Sequence, residues 1–292
     1  VKLLIFGGSG QLGQEILIRA KDLNFETVYP SLKELDITES SQVNFLVGQV
    51  KPDIIINCAA YTAVDKAEEE IDLCYKINRD GAKYIAQAAE KFKSRLVHIS
   101  TDYVFAGDGN TPLKETDSTQ PKSIYGKSKL EGEHEVLKYT DGKAAVLRTA
   151  SLHGKFGNNF VHTMLNLFDA KKPVSVVADQ FMSPCWAGFL AETILDVIRI
   201  DFNGVLHCAG IGQISWFEFA SLITELAYLP KDKPEITKTS LDKFPRPAPR
   251  PKYSCFDLNK YTSTLGRKPI AWQDGLKFHL KDIDRLINSK RK

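Results

Sequence analysis

Tyr125 and Lys129, in the run Tyr125-Gly126-Lys127-Ser128-Lys129, place a phenol and an ammonium four residues apart, one above the other on the same face of a helix. A free phenol with a pKa near ~10 is a poor acid-base group at neutral pH, and a cation within roughly 4–6 Å lowers that value. Tyr125 could then protonate a carbonyl oxygen as hydride reaches its carbon. Such pairs are common on surface helices, so the reading depends on what surrounds them. Ser100-Thr101-Asp102-Tyr103-Val104-Phe105 adds a hydroxyl, a carboxylate and a second phenol. It follows the apolar run Leu96-Val97-His98-Ile99, so Thr101, Asp102 and Tyr103 are expected at the C-terminal end of a buried strand, where open α/β sheets bind ligands.

The elements that position this chemistry begin with Leu3-Leu4-Ile5-Phe6, a short apolar run typical of a strand buried on both faces. It leads into Gly7-Gly8-Ser9-Gly10-Gln11-Leu12-Gly13 and then a helical pattern through Leu12, Ile16, Leu17 and Ala20. Strand, glycine turn and helix N-terminus form a pyrophosphate site: Gly7, Gly10 and Gly13 let backbone N–H groups approach phosphate, and the helix dipole favours its charge. A second strand is expected at Glu26–Tyr29. No acid for a ribose 2′-hydroxyl is read directly after it, whereas Ser31 and Lys33 could accept a 2′-phosphate, which favours NADPH with NADH possible. Lys33 reads equally well as a solvated charge. Ile54-Ile55-Ile56 is a third strand, and the small residues Cys58, Ala59 and Ala60 beyond it would let a ligand lie against the backbone before Tyr61 and Thr62.

Asp65 to Glu70 reads as a solvated acidic face, and Tyr75 to Phe92 as one long helix in which Asn78 is the polar residue of interest. The first half thus alternates strand and helix, predicting a Rossmann-type doubly wound parallel sheet. Past Tyr139 a strand at Ala144–Leu147, a loop from Gly154 to Phe160 that suits a polar ligand, a helix from about Ala187 and a strand at Val205–Cys208 indicate a chain that leaves the sheet and returns. The expected division is a cofactor-binding domain of residues 1–150 plus about 186–210, and a smaller interleaved substrate domain of residues 151–185 and 211–292. The proline-rich run Phe244–Pro251 reads either as a solvated linker or as a stiff extended segment whose Arg246 and Arg250 clamp a diphosphate. The tail Lys290-Arg291-Lys292 reads as a solvated helix end.

Across 292 residues, 39 basic side chains face 36 acidic ones, so no general field favours nucleic acid or an anionic membrane. The five scattered cysteines lack any CxxC spacing, which suggests neither a disulfide framework nor a zinc site. No apolar run approaches the roughly 18–20 residues of a membrane span. A soluble cytoplasmic protein is expected.

The glycine turn, the Ser100-Thr101 strand end and the Tyr125/Lys129 pair, in this order, resemble the extended short-chain dehydrogenase/reductases. Within that superfamily, the run Asn57 to Glu68, Ser100 to Phe105 and Gly157-Asn158-Asn159-Phe160 are similar to the dTDP-4-dehydrorhamnose reductases over nearly the whole length. The resemblance implies NADPH-dependent reduction of the 4-keto group of a nucleotide-linked deoxysugar, giving dTDP-L-rhamnose, a cell-surface polysaccharide precursor, in a monomer or homodimer. It implies that Gly10, Gln11 and Leu12 line the cofactor phosphates, Asp36 and Ile37 the adenine, and Ala60, Tyr61 and Thr62 the backbone around the nicotinamide side; Ala59 and Asn78 are also expected to bind the cofactor. By the same resemblance Thr101, Asp102 and Tyr103 meet the sugar, with Ser151, Asn159, Phe160 and Arg250 also at the substrate. Tyr125 donates the proton, and Lys129 holds the ribose while tuning Tyr125. Two positions depart from the family. Ser151 stands where a sugar-stacking tryptophan is expected, and Gly188 stands where some members have a magnesium ligand beside the matching Glu15, so no structural metal is expected. Two other readings of the same fold are a non-catalytic NADP-binding subunit like the regulatory subunit of methionine adenosyltransferase, and a sugar-nucleotide epimerase or dehydratase. Asp102 followed by Tyr103, not by a second carboxylate, favours plain reduction over dehydration.

Overall fold

In the computed structural model of the chain, residues 1–31 and 33–287 are described; the basic tail lies outside them. β1 (Lys2–Phe6) alternates its side chains between two faces: Leu3 and Ile5 join one apolar cluster, Leu4 and Phe6 another. The same alternation recurs in β3 (Ile54–Asn57), so a continuous apolar run marks a strand covered by helices on both sides. With α1 (Gln11–Asp22), β2 (Glu26–Val28), α2 (Ser40–Val50), α3 (Ile71–Tyr75), α4 (Ala82–Phe92), β4 (Arg95–Thr101), α5 (Ile124–Tyr139) and β5 (Ala145–Thr149), these elements form the first half of the molecule. The expected Rossmann-type doubly wound sheet is present. Its strands are parallel, and their order reverses at β1 and β3, so the loops after these two strands diverge and leave a crevice at their C-terminal ends.

The long helix expected over Tyr75–Phe92 is interrupted. Lys76–Gly81 forms a π-turn between α3 and α4, and Asn78 lies in it. A π-turn adds a residue to the helical cycle and redirects nearby backbone groups, a feature found at functional sites. Here it brings the Asn78 carbonyl against α5 so closely that a Cβ on Gly132 would overlap it.

After β5 the chain forms β6 (Leu152–His153), α6 (Phe160–Asp169), β7 (Val174–Val177), β8 (Phe181–Met182) and β9 (Cys185–Trp186). α7 (Ala187–Arg199) then packs on α1, and β10 (Gly204–His207) joins β5 as the sixth strand. The chain leaves once more through β11 (Ile214–Ser215), α8 (Trp216–Ala227), β12 (Ile236–Thr239), β13 (Tyr253–Ser254), α9 (Asn259–Leu265) and α10 (Trp272–Asp282). A third apolar cluster, including Val161, Leu165, Phe219, Ile223, Trp272 and Leu276, belongs to these later segments alone. Among the described residues no helix is long and apolar enough to cross a membrane.

Candidate active site

α5 begins where Ser123 Oγ accepts the Gly126 N–H at 3.1 Å, a serine N-cap that sets Tyr125 in the first turn. Gly126 is required there because a Cβ would overlap the Tyr103 carbonyl oxygen. The close approach puts the Tyr125 ring edge-on to Tyr103, with centroids 5.5 Å apart, and brings the phenol within the influence of Thr101. Thr101 caps the short turn Asp102–Val104 by accepting the Tyr103 N–H, and its hydroxyl donates to Asp102 Oδ1 at 3.0 Å. The buried Asp102 is raised to about 6 by desolvation, against the opposing hydrogen bonds of Ser254 and Thr101. The sequence thus correctly brings Thr101, Asp102, Tyr103 and Tyr125 together.

The expected electrostatics of the pair are corrected. Burial pushes the Tyr125 phenol up, the Asp102 charge adds to this, and the Thr101 contact opposes it only in part. Lys129 is itself buried, with its Nζ donating to the Ile99 carbonyl at 2.6 Å. Desolvation brings its ammonium down to about 8 against the attraction of Glu133. Desolvation therefore sets the direction, and the phenol is pushed toward its protonated form. For reduction this is the useful state, since an acid must keep its proton until an alkoxide forms.

The glycine turn has the geometry of a phosphate cradle. Gly7 has φ +77°, and a Cβ there would lie 2.7 Å from the Ala59 N, so the loops after β1 and β3 meet backbone to backbone. A Cβ on Gly13 would overlap the Gly7 carbonyl. Gly10 precedes α1 without a side-chain cap, so the first amides of α1 face the crevice mouth without one. Leu12 belongs to the apolar core, so only its backbone can serve a phosphate. Gln11 spans to the later segments: its Oε1 accepts from Asn159 Nδ2 at 2.8 Å and its Nε2 donates to the Leu152 carbonyl at 3.4 Å.

Several predicted ligands prove to be struts. Asn78 is buried, with Oδ1 accepting the Tyr61 N–H at 2.8 Å and Nδ2 donating to the Tyr61 carbonyl at 3.2 Å and to Ser128 Oγ at 3.0 Å. It therefore acts on the backbone at Ala60, Tyr61 and Thr62, and through Ser128 on α5. Asn159 is likewise committed, capping α6 through His162 N and donating to Gln11 and the Gly154 carbonyl. After β2 an acid does occur: Glu34 accepts from the Ser31 N–H at 2.7 Å and from its hydroxyl, and these bonds lower the carboxyl below its usual range. The sequence reading missed it because the acid reaches back across a turn. Ser31 is thus occupied beside an anion, and Lys33 is exposed. Asp36 Oδ1 accepts the Thr38 N–H at 2.9 Å, while Ile37 packs in the core against Gly81.

The acidic stretch is tied into the fold even though Glu69 and Glu70 are exposed. Glu68 Oε1 accepts the Ile124 N–H at 2.8 Å, Glu70 Oε2 accepts the Tyr61 hydroxyl at 2.6 Å, and Asp65 Oδ2 accepts from Arg250 at 2.9 Å. Nor is the proline-rich run a free linker. With Tyr103, Phe160, Trp216 and β7, Arg246 and Arg250 line a cavity of about 330 Å³. Phe160 leans on Trp216 with centroids 4.5 Å apart and stacks on Phe219. Trp216 was not anticipated, although the spacing of Ser215 and Glu218 is a capping-box signature that places it at the first position of α8. Ser151 is half-buried in a left-handed conformation, φ +44°, and is not part of the cavity wall. Glu15 is held by Arg19 at 2.6 Å, and Gly188 lies packed under Trp186. Among the described residues no group of three or more His, Cys, Asp or Glu side chains could hold a metal ion.

The family model described as the RmlD substrate binding domain matches residues 1–285. A dTDP-4-dehydrorhamnose reductase of Aggregatibacter actinomycetemcomitans is 37% identical over 286 residues, covering 94% of this chain and 97% of that protein. The chain belongs to the dTDP-4-dehydrorhamnose reductase family. The solved dTDP-4-dehydrorhamnose reductase of Clostridium acetobutylicum superposes with a TM-score of 0.93 at 42% identity, over 97% of this chain and 100% of that one. That of Bacillus anthracis, solved in complex with NADP, has a TM-score of 0.92 at 38% identity, over 96% of this chain and 99% of that one. As a dTDP-4-dehydrorhamnose reductase family member, this chain is an oxidoreductase of the extended short-chain dehydrogenase/reductase superfamily. Its aromatic cavity wall comes from Tyr103, Phe160, Trp216 and Phe244.

Proposed function

We propose that the protein reduces the 4-keto group of a dTDP-linked deoxysugar with NADPH, converting dTDP-4-dehydro-L-rhamnose to dTDP-L-rhamnose. The observation that carries this is the geometry at the start of α5, where the Ser123 cap and the close approach of Gly126 to the Tyr103 carbonyl set the Tyr125 ring 5.5 Å from that of Tyr103, at the end of β4 beside the crevice formed by the glycine turn and the end of β3. The backbone approach at Gly7 and Gly13 fits a dinucleotide pyrophosphate, and the bound nicotinamide supplies hydride to the sugar carbonyl carbon. Tyr125 donates its proton to the carbonyl oxygen. Thr101 has one hydroxyl proton to offer either to Asp102 or to the phenolate left on Tyr125, so it stabilises the charge that proton transfer leaves behind. Lys129, on the next turn of α5, is the cation for the nicotinamide ribose. Arg250 and Arg246 take the diphosphate, with Tyr103, Phe160 and Trp216 forming the wall beside it.

In this reading residues 1–150 with about 186–210 form the cofactor domain, and residues 151–185 and 211–292 the substrate domain. The reaction is cytoplasmic, in a monomer or homodimer, and supplies a polysaccharide precursor. The decisive experiment follows NADPH absorbance against dTDP-, CDP- and GDP-linked 4-keto sugars. Turnover is expected with the dTDP-4-dehydro-L-rhamnose substrate. NADPH binding without turnover on any of them would leave a non-catalytic binding protein instead.

A further inference from the structure

We infer that Asp65 is the positioning residue of a diphosphate clamp: its carboxylate gathers the segment Arg246–Arg250 so that both guanidiniums stay on the cavity wall beside Tyr103. The inference rests on reading the substrate as a nucleoside diphosphate sugar. Asp65 Oδ2 accepts from Arg250 at 2.9 Å and lies 3.6 Å from an Arg246 nitrogen, while Oδ1 accepts the Ala248 N–H at 3.3 Å. One carboxylate therefore holds three residues of a segment about 180 positions later in the chain.

The rest of the segment's support explains why this matters. Downstream it is fixed by backbone carbonyls, Pro251 accepting from Gln180 Nε2 at 3.0 Å and Lys252 from the Phe181 N–H at 2.8 Å. Upstream, Arg246 is about half exposed. Among the described residues, Asp65 is the only one outside residues 244–250 that forms a hydrogen bond or ion pair with residues 245–250. Without its charge, two like-charged guanidiniums would repel on a segment with no other such tie. Arg250 also lies over the Tyr103 ring at 6.0 Å, and Tyr103 meets Tyr125, so the clamp is set in register with the proton donor.

A guanidinium has five N–H donors, and Arg250 spends its bonds on Asp65 and on the Ala248 carbonyl at 3.0 Å. The remaining donors are free to meet phosphate oxygens in the paired geometry that arginine favours. Fixing the segment beforehand lowers the ordering cost on binding. The gain falls on the diphosphate first, because the hydrogen bonds and ion pairs of the Asp65 carboxylate are with residues 246–250, while its charge reaches the Tyr103 wall only electrostatically.

The test uses the full chain with Asp65→Asn, Asp65→Glu and Arg250→Ala, and measures kcat and KM for the sugar nucleotide and the affinities for dTDP, thymidine and NADPH. Asp65→Asn should raise the KM and the dTDP dissociation constant about tenfold. Its kcat, thymidine affinity and NADPH affinity should stay within about twofold, and Asp65→Glu should restore most of the loss. Unchanged dTDP affinity in Asp65→Asn, equal losses for dTDP and thymidine, or a loss confined to kcat would overturn the positioning role. If Arg250→Ala weakens dTDP binding while Asp65→Asn does not, only this inference fails. If Arg250→Ala binds dTDP like the wild type, the diphosphate reading of the cavity fails with it.

Discussion

Tyr125 and Lys129 show what four-residue spacing can and cannot say. Spacing puts both on one face of α5, but the depth of that face decides their charges, and both groups move toward their neutral forms. A phenol raised above its ordinary value stays protonated across the neutral range, so it can act as an acid with no preceding step. Because its proton is transferred as charge builds on the sugar oxygen, its loss should appear in kcat more than in binding. Tyr125→Phe keeps the ring that meets Tyr103 and removes only the donor. Turnover is expected to fall by about 10²–10⁴-fold with NADPH affinity nearly intact. Stopped-flow reduction and a cofactor titration check this, and a variant retaining more than about a third of wild-type turnover would point to another acid.

At the scale of elements, the π-turn at Lys76–Gly81 links the cofactor crevice to the catalytic helix. One amide, Asn78, satisfies both backbone groups of Tyr61 and also reaches Ser128, whose hydroxyl donates to the Tyr125 carbonyl at 2.9 Å. Truncation to alanine leaves half-buried backbone groups without partners, at a cost of about 1–3 kcal/mol. Asn78→Ala should therefore unfold at lower denaturant and bind NADPH more weakly, although Asn78 is buried beneath the crevice wall. Urea unfolding and cofactor titration measure the two effects. Lowered stability with unchanged NADPH affinity would show that the Tyr61 backbone does not depend on this strut. Asn159 plays the matching part between Gln11 and α6. Both were read as ligands because an Asn near a site looks the same in sequence whether its amide faces inward or outward.

Across the whole molecule, three histidines join segments that no local pattern connects. His162 Nδ1 meets the Gly157 carbonyl at 3.0 Å, His162 Nε2 meets His279 Nε2 at 3.1 Å, and His279 Nδ1 meets His153 Nδ1 at 3.1 Å. A carbonyl only accepts, so His162 carries a proton on Nδ1. Burial, with the neighbouring imidazoles adding to it, brings His153 down to about 3 and His279 to about 2. His207 is at about 3, mainly through burial, and His98 is also well below its ordinary value. Each is neutral in the fold and titrates near ~6.5 when unfolded, so its contribution is fully present above about pH 6.5 and is lost as pH falls toward the folded values. Asp102, raised to about 6, works in the opposite sense, as do Glu15 and Asp282, whose carboxyls burial also raises. The urea midpoint should therefore drop between about pH 7.5 and pH 5, and an equal or higher midpoint at the lower pH would contradict the buried neutral chain.

By itself the sequence determined the alternation of strands and helices in the first half, the glycine turn, and the family to which the chain belongs. These follow from local rules: apolar runs mark strands covered on both sides, glycine marks a backbone approach no side chain allows, and spacing along a helix sets its faces. The placement of Thr101, Asp102 and Tyr125 was legible for the same reason, because each lies at the end of a strand or the start of a helix. Only the tertiary structure decided the charges of Tyr125 and Lys129, which depend on desolvation by distant segments. It also decided that Asn78 and Asn159 are struts, that Glu34 occupies Ser31, and that Asp65 reaches Arg250. Each of these is a question of what a polar side chain meets across the fold, and neither residue type nor neighbouring sequence carries that partner's identity.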